Sequence, residues 1–128
     1  MKSKIDAVAL FHRSFGLGIS ESPRADLGEE KNLLRFNLMD EENREYFEAA
    51  KKDDAVEVAD ALGDMLYILC GTILEHGMQH IIEEVFEEIQ RSNMSKLGAD
   101  GKPIYREDGK VLKGPDYFKP DIKGILDR

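Results

Sequence analysis

Carboxylates at helical spacing stand out on two neighbouring stretches of this 128-residue chain. The first reads Asp40-Glu41-Glu42-Asn43-Arg44-Glu45, and the second Glu57-Val58-Ala59-Asp60-Ala61-Leu62-Gly63-Asp64. On a helix, Glu42 and Glu45 stand at i,i+3 and share a face. Glu57, Asp60 and Asp64 stand at i, i+3 and i+7 and form one stripe. Acids on two facing stripes repel each other unless something positive sits between them. A hard divalent cation is the natural candidate, because Mg²⁺ takes oxygen ligands and keeps positions for water and substrate phosphates. Such a site points to metal-assisted chemistry on a phosphate ester or anhydride. Asp60 and Asp64 interrupt the most apolar stretch of the chain, so they are predicted to be partly buried. No Lys or Arg lies between Lys52 and Arg91 to pair with them. Buried charges must be paired or coordinate metal, and an unpaired cluster of like charges raises its own pKa values.

Competing chemistries have weaker support. A di-iron carboxylate bundle needs Glu-x-x-His on two helices, and none of His12, His76 and His80 has a Glu three residues before it. His76 and His80 are spaced i,i+4, as a zinc pair would be. Gly77 falls between them at an expected helix end, which favours surface or loop histidines. Cys70, the only cysteine, lies among apolar residues and reads as a buried inert thiol. Neither G-x-x-x-x-G-K-[ST] nor G-x-G-x-x-G occurs, so phosphates would be held by metals and cationic side chains. Glu84 and Glu87 also form E-x-x-E, but within a run of four glutamates that reads as a solvated helix face. Asn93 and Lys96 are spaced to reach one ligand together. Lys102, Lys110 and Lys113 could approach the same mouth, and Tyr117 and Phe118 could stack on a base.

The elements that must carry these residues are helical. Residues 4–15 place Ile5, Val8, Phe11 and Phe15 at a helical period. Residues 16–30 are rich in Gly, Ser and Pro and read as a loop. Residues 31–52 read as a long helix buried through Leu33, Leu34, Leu38, Phe47 and Ala50. Asp54 is placed to cap the next helix, 55–76, whose core side is assigned to Val56, Ala59, Leu62, Met65, Leu66 and Leu69, with Gly77 as its stop. A fourth helix is expected over 79–92 with Ile81, Ile82, Val85, Phe86 and Ile89 inward. Within 98–120, Asp108-Gly109 between two short apolar arms predicts a β-hairpin. A short helical turn follows from Asp121. The expected architecture is one all-α domain over 1–128, of four to five helices with a small C-terminal hairpin.

Bulk composition limits the partners. Hydrophobic residues make up 41% and charged residues 34%, with a net charge of −8. That charge argues against nucleic acid, which needs a basic face. A small polyanion is still acceptable where metal ions reverse the local field. The N-terminus lacks the apolar run of a signal peptide. The longest apolar stretch, around Met65 to Leu74, is too short and interrupted to span a bilayer. A reducing cytoplasm fits a single cysteine, and no membrane partner is expected.

Taken together, the acidic pair on one helix, the Glu57-Val58-Ala59-Asp60-Ala61-Leu62-Gly63-Asp64-Met65-Leu66-Tyr67 run on the next, Gly71-Thr72, Arg91-Ser92-Asn93-Met94-Ser95-Lys96, and the Asp100–Lys102 and Lys113–Phe118 tail resemble the MazG-like all-α nucleoside triphosphate pyrophosphohydrolases. Phosphoribosyl-ATP pyrophosphohydrolases and dimeric dUTPases belong to the same superfamily. The resemblance covers roughly residues 5–125. It implies Mg²⁺, replaceable by Mn²⁺, on the motif E-x-x-E followed by E-x-x-D. Glu42 and Glu45 match the first half. Glu57 and Asp60 match the second half literally, while a register ending at Asp64 sets the acid nearer the Leu66-Tyr67 run; both registers stand. The implied reaction is attack on the α-phosphorus by a metal-bound water, giving nucleoside monophosphate and pyrophosphate, a reaction suited to cleaning the nucleotide pool. Glu41 is the candidate general base, Asn93 and Lys96 contact substrate, and Lys96 offsets charge as the α–β bond breaks. The resemblance also implies a homodimer or homotetramer. The alternatives are hydrolysis of phosphoribosyl-ATP, and a non-catalytic helical module that binds Mg²⁺-nucleotide.

Overall fold

The computed structural model describes Met1–Arg128. It contains five helices: α1 (Lys2–Ser14), α2 (Glu29–Lys51), α3 (Ala55–Glu75), α4 (Ile82–Met94) and α5 (Ile122–Leu126). The expected helix boundaries are met to within about three residues, the ordinary scatter of helix ends. No helix is long and apolar enough to cross a membrane. The chain falls into two compact units, Met1–His80 and Ile81–Arg128.

In the first unit, α3 packs against both α1 and α2. The turn between α2 and α3 is tight. Asp53 takes a left-handed φ of 55°, and Asp54 N donates back to the Ala49 carbonyl at 3.1 Å. The Asp54 side chain then accepts from Glu57 N at 3.1 Å, capping α3 as the sequence predicts. At the other end of α3, Gly77 has φ 68°. Met78 N donates to the Ile73 carbonyl at 3.0 Å and Gly77 N to the Leu74 carbonyl at 3.1 Å. This Schellman pairing satisfies carbonyls that the helix end would otherwise orphan. The 16–28 loop is tied to that same end: Ser20 N donates to the Leu74 carbonyl, Ser20 Oγ to the Glu75 carbonyl and Arg24 N to the His76 carbonyl.

The core differs from the periodicity reading. The buried apolar residues of this unit are Ile5, Val8 and Ala9 on α1, Ala49 on α2, and Ala61, Cys70, Ile73 and Leu74 on α3. Leu33, Leu34, Phe47, Val56, Leu62, Leu66 and Leu69, expected inside, are exposed, as are Phe11 and Phe15. On α3, apolar residues flank the Glu57, Asp60 and Asp64 stripe on several sides, and α1 and α2 cover only part of that apolar surface, which leaves Val56, Leu62, Leu66 and Leu69 outside. Cys70 is fully buried, as an inert thiol should be.

Four polar side chains take core positions instead, three of them in this unit: His12, Arg35 and Glu75. His12 Nδ1 donates to the Gly18 carbonyl at 2.8 Å. Glu75, 4% exposed, pairs with Lys31 at 3.4 Å. Burial lowers the Arg35 pKa, and Glu75 opposes that shift.

In the second unit, α4 and α5 pack together. Phe86 and Ile89, expected inward, are exposed. Ser92 is the fourth buried polar residue; its Oγ donates to the Phe118 carbonyl at 2.8 Å, and Phe118 N donates to Ser95 Oγ at 3.1 Å. The expected hairpin is reduced to a single isolated antiparallel bridge, Tyr105 with Val111, and there is no sheet. A lone two-stranded ribbon is marginal in water. Pro103 before one arm and Gly114-Pro115 after the other leave little room for further pairing.

Candidate active site

α2 and α3 bring the acids of the two motifs together. Glu42 is half-buried, and its Oε2 is covered and has no hydrogen-bond partner. Burial is the first cause that pushes the Glu42 carboxyl up to about 7; hydrogen bonding to Glu45 and the charges of Glu45, Asp64 and Glu41 push in the same direction. Asp64 thus lies within electrostatic reach of Glu42. Both Asp60 and Asp64 are exposed, contrary to the expected partial burial, because the apolar side of α3 around them is uncovered. The burden of burial falls on Glu42 instead.

Beside this cluster a cleft of about 380 Å³ is lined by Arg44, Glu45, Glu48, Lys52, Glu57 and Asp60. Glu45 therefore belongs to both groupings, with Glu42 and Asp64 on one hand and with Glu57 and Asp60 on the other. Arg44 also pairs with Asp40 at 3.1 Å on an exposed helix face, an interaction that contributes little.

A divalent cation can be tested against these residues. The donors are all carboxylate oxygens, the set a hard cation takes. The orphaned Glu42 oxygen is the kind of atom such a cation would partner. As the side chains stand, no three His, Cys, Asp or Glu groups converge closely enough to hold an ion. The donor chemistry fits a hard cation, and the carboxylates of α2 and α3 would have to turn toward it. At the other end of α3, His76 Nδ1 donates to the Arg24 carbonyl at 2.9 Å, and His80 Nε2 lies 3.8 Å from Glu21.

The remaining candidates lie in the second unit. Asn93 is exposed and Lys96 half-buried at the end of α4. The Lys96 carbonyl accepts from Gly114 N at 2.7 Å. Lys113 Nζ sits 4.7 Å from the Tyr117 ring centroid, covering a face that base stacking would use. Among the glutamates of α4, Glu88 pairs with Arg91 and accepts from Asp121 N, and Glu84 pairs with Arg128. Ion pairing thus accounts for much of that run.

The metal-free protein has a pH signature at Glu42. Its folded pKa of about 7 lies above the ordinary 4.5, so between those values the folded state binds more protons than the unfolded state. Stability from this group is greatest below about pH 4.5 and falls as pH rises toward 7. Thermal unfolding of the metal-free wild type and Glu42→Gln across pH 5–8 should show the variant gaining on the wild type by several degrees at the upper end. Parallel profiles would contradict the shift.

The helices α2 and α3 thus bring Glu42 and Glu45 within electrostatic reach of Asp64 and beside Glu57 and Asp60. A family model for phosphoribosyl-ATP pyrophosphohydrolase matches residues 8–93. The chain belongs to that family, a branch of the MazG-like superfamily, and its class is therefore pyrophosphohydrolase. No curated protein matches the chain.

Proposed function

We propose that this protein hydrolyses a nucleoside triphosphate to the monophosphate and pyrophosphate with Mg²⁺, or Mn²⁺ in its place. The observation that carries the reading is the covered, unpartnered oxygen of Glu42, a carboxyl on which the charges of Glu45 and Asp64 act. Glu42, Glu45 and Asp64, with Glu57 and Asp60 at the adjoining cleft, would hold the ions. Bound Mg²⁺ supplies positive charge against the substrate's phosphates and lowers the pKa of water in the site. Glu41 accepts the proton of the attacking water. The water oxygen joins the α-phosphorus as the bond to the bridging oxygen breaks. Asn93 and Lys96 bind the polyphosphate, with Lys96 countering charge on the leaving group. Lys113 and Tyr117 contribute to nucleotide contact.

We further read residues 1–128 as one catalytic domain, acting in the cytoplasm as a homodimer or homotetramer. The exposed Leu62, Leu66, Tyr67 and Leu69 on α3 support association, since contiguous apolar surface of this kind marks an interface. Nucleic acid and membranes are not partners in this reading. Phosphoribosyl-ATP is the second candidate substrate, favoured by the description of the matching family.

Turnover in ¹⁸O-labelled water tests the reaction. The label should appear in the nucleoside monophosphate and not in pyrophosphate; label in pyrophosphate, or release of inorganic phosphate alone, would overturn attack at the α-phosphorus. Lys96→Ala should lower kcat/KM by about 10–100-fold, as expected for the loss of one charged hydrogen bond, while metal affinity is unchanged. An unchanged kcat/KM would reduce Lys96 to a helix-end cation.

A further inference from the structure

α2 and α3 form a helical hairpin, so the position of one along the other decides how their acids meet. Along the seam, the charge of Asp64 on α3 reaches Glu42 on α2. Two turns earlier on α2 lies Arg35, and one to two turns later on α3 lie its partners. Arg35 Nε donates to Thr72 Oγ1 at 3.0 Å, and Nη2 donates to the Ile68 carbonyl at 2.9 Å. The Thr72 hydroxyl donates to the same carbonyl at 2.9 Å. A planar fork held at two points resists sliding, unlike a greasy contact that tolerates it. Gly71 makes the approach possible: a Cβ there would lie 2.8 Å from Arg35 Nη2 and 2.8 Å from His12 Nε2. A buried ionic group is weak evidence for stability, and fixing register is its best-attested use.

We propose that Arg35 is the positioning residue of the acidic site: by pinning α2 to α3 at Ile68 and Thr72, it fixes the register in which Glu42 and Glu45 of α2 meet the acids of α3. This rests on the metal-site reading above and adds a part that touches neither metal nor substrate.

The test is Mn²⁺ titration by calorimetry and electron paramagnetic resonance on the full chain, with thermal unfolding alongside. Arg35→Gln should weaken Mn²⁺ binding by about tenfold, the low end of the range for losing a group that positions metal ligands directly. Arg35→Lys, which keeps the charge without the fork, should recover part of the loss. Thr72→Val, which removes one acceptor and preserves shape, should weaken binding by a smaller factor. Val8→Ala, a core truncation away from the pin, should lower Tm and leave Mn²⁺ affinity unchanged. The proposal is overturned if Arg35→Gln loses Tm but keeps wild-type affinity. It is equally overturned if Val8→Ala weakens binding as much for the same loss of Tm. Should Arg35→Gln fail to fold, wild-type affinity in both Thr72→Val and Arg35→Lys overturns it. A wild type that binds no Mn²⁺ contradicts the metal-site reading itself, a separate outcome.

Discussion

Asp64→Asn is expected to lower Mg²⁺-dependent pyrophosphate release by about 10²–10³-fold, the scale of losing one group that stabilises charge in the transition state. The fold should survive, because Asp64 is exposed and an exposed substitution usually shifts stability by no more than about 0.5 kcal/mol. Removing its charge also relieves part of the repulsion on Glu42, so the metal-free variant should be no less stable than the wild type near neutral pH. Added Mg²⁺ should raise Tm in the wild type and much less in the variant, since only a ligand that binds the folded state stabilises it. Full turnover in Asp64→Asn would remove Asp64 from the metal site. The second half of the motif would then rest on Glu57 and Asp60, which share the cleft with Glu45.

The largest effect on stability is expected at Gly77. Its φ of 68° is a left-handed conformation, which costs an L-residue about 1–2 kcal/mol. A Cβ there would also run into the Ser22 carbonyl, backbone that is held in place by the ties of the 16–28 loop to the end of α3. The two penalties fall on one residue, so Gly77→Ala should lose about 3 kcal/mol, read as a drop of roughly 10 °C in Tm. The damage should centre on the loop contacts around Ser20 and Glu75, with faster amide exchange there. An unchanged Tm would mean that the 16–28 loop moves aside at little cost, and that the Schellman pairing contributes little.

The layout of the candidate site, acids on two successive helices, is legible in the sequence because it depends on local spacing. The i,i+3 and i,i+7 carboxylates needed only helical geometry to share faces, and the Asp54 cap and Gly77 stop follow from local backbone chemistry. Burial was not legible. In a helix as apolar as α3, no periodicity distinguishes the side that α1 and α2 cover, so Leu62, Leu66 and Leu69 read as inward and lie outside. Asp60 and Asp64 followed them, and the acid with a covered oxygen proved to be Glu42. Arg35 was hidden for the complementary reason: within Leu33-Leu34-Arg35-Phe36 it reads as a solvated break in an apolar run. Its burial depends on a glycine and a threonine that lie more than thirty residues away in sequence. The Gly71-Thr72 pair interrupting an apolar helix was the available signal, since small and hydroxylated residues there make room for a polar partner. The Asp108-Gly109 turn does form, but a turn signal alone does not supply the third strand or packed face that a sheet needs.

The most direct test of the account is pyrophosphate release by the wild type from a panel of standard, deoxy and damaged nucleoside triphosphates together with phosphoribosyl-ATP, each with and without Mg²⁺. Mg²⁺-dependent release from one or a few members is the predicted result, and the preferred member names the substrate. No release from any member by folded protein in the presence of Mg²⁺ would contradict the proposed reaction and leave the acids of α2 and α3 as a nucleotide-binding surface.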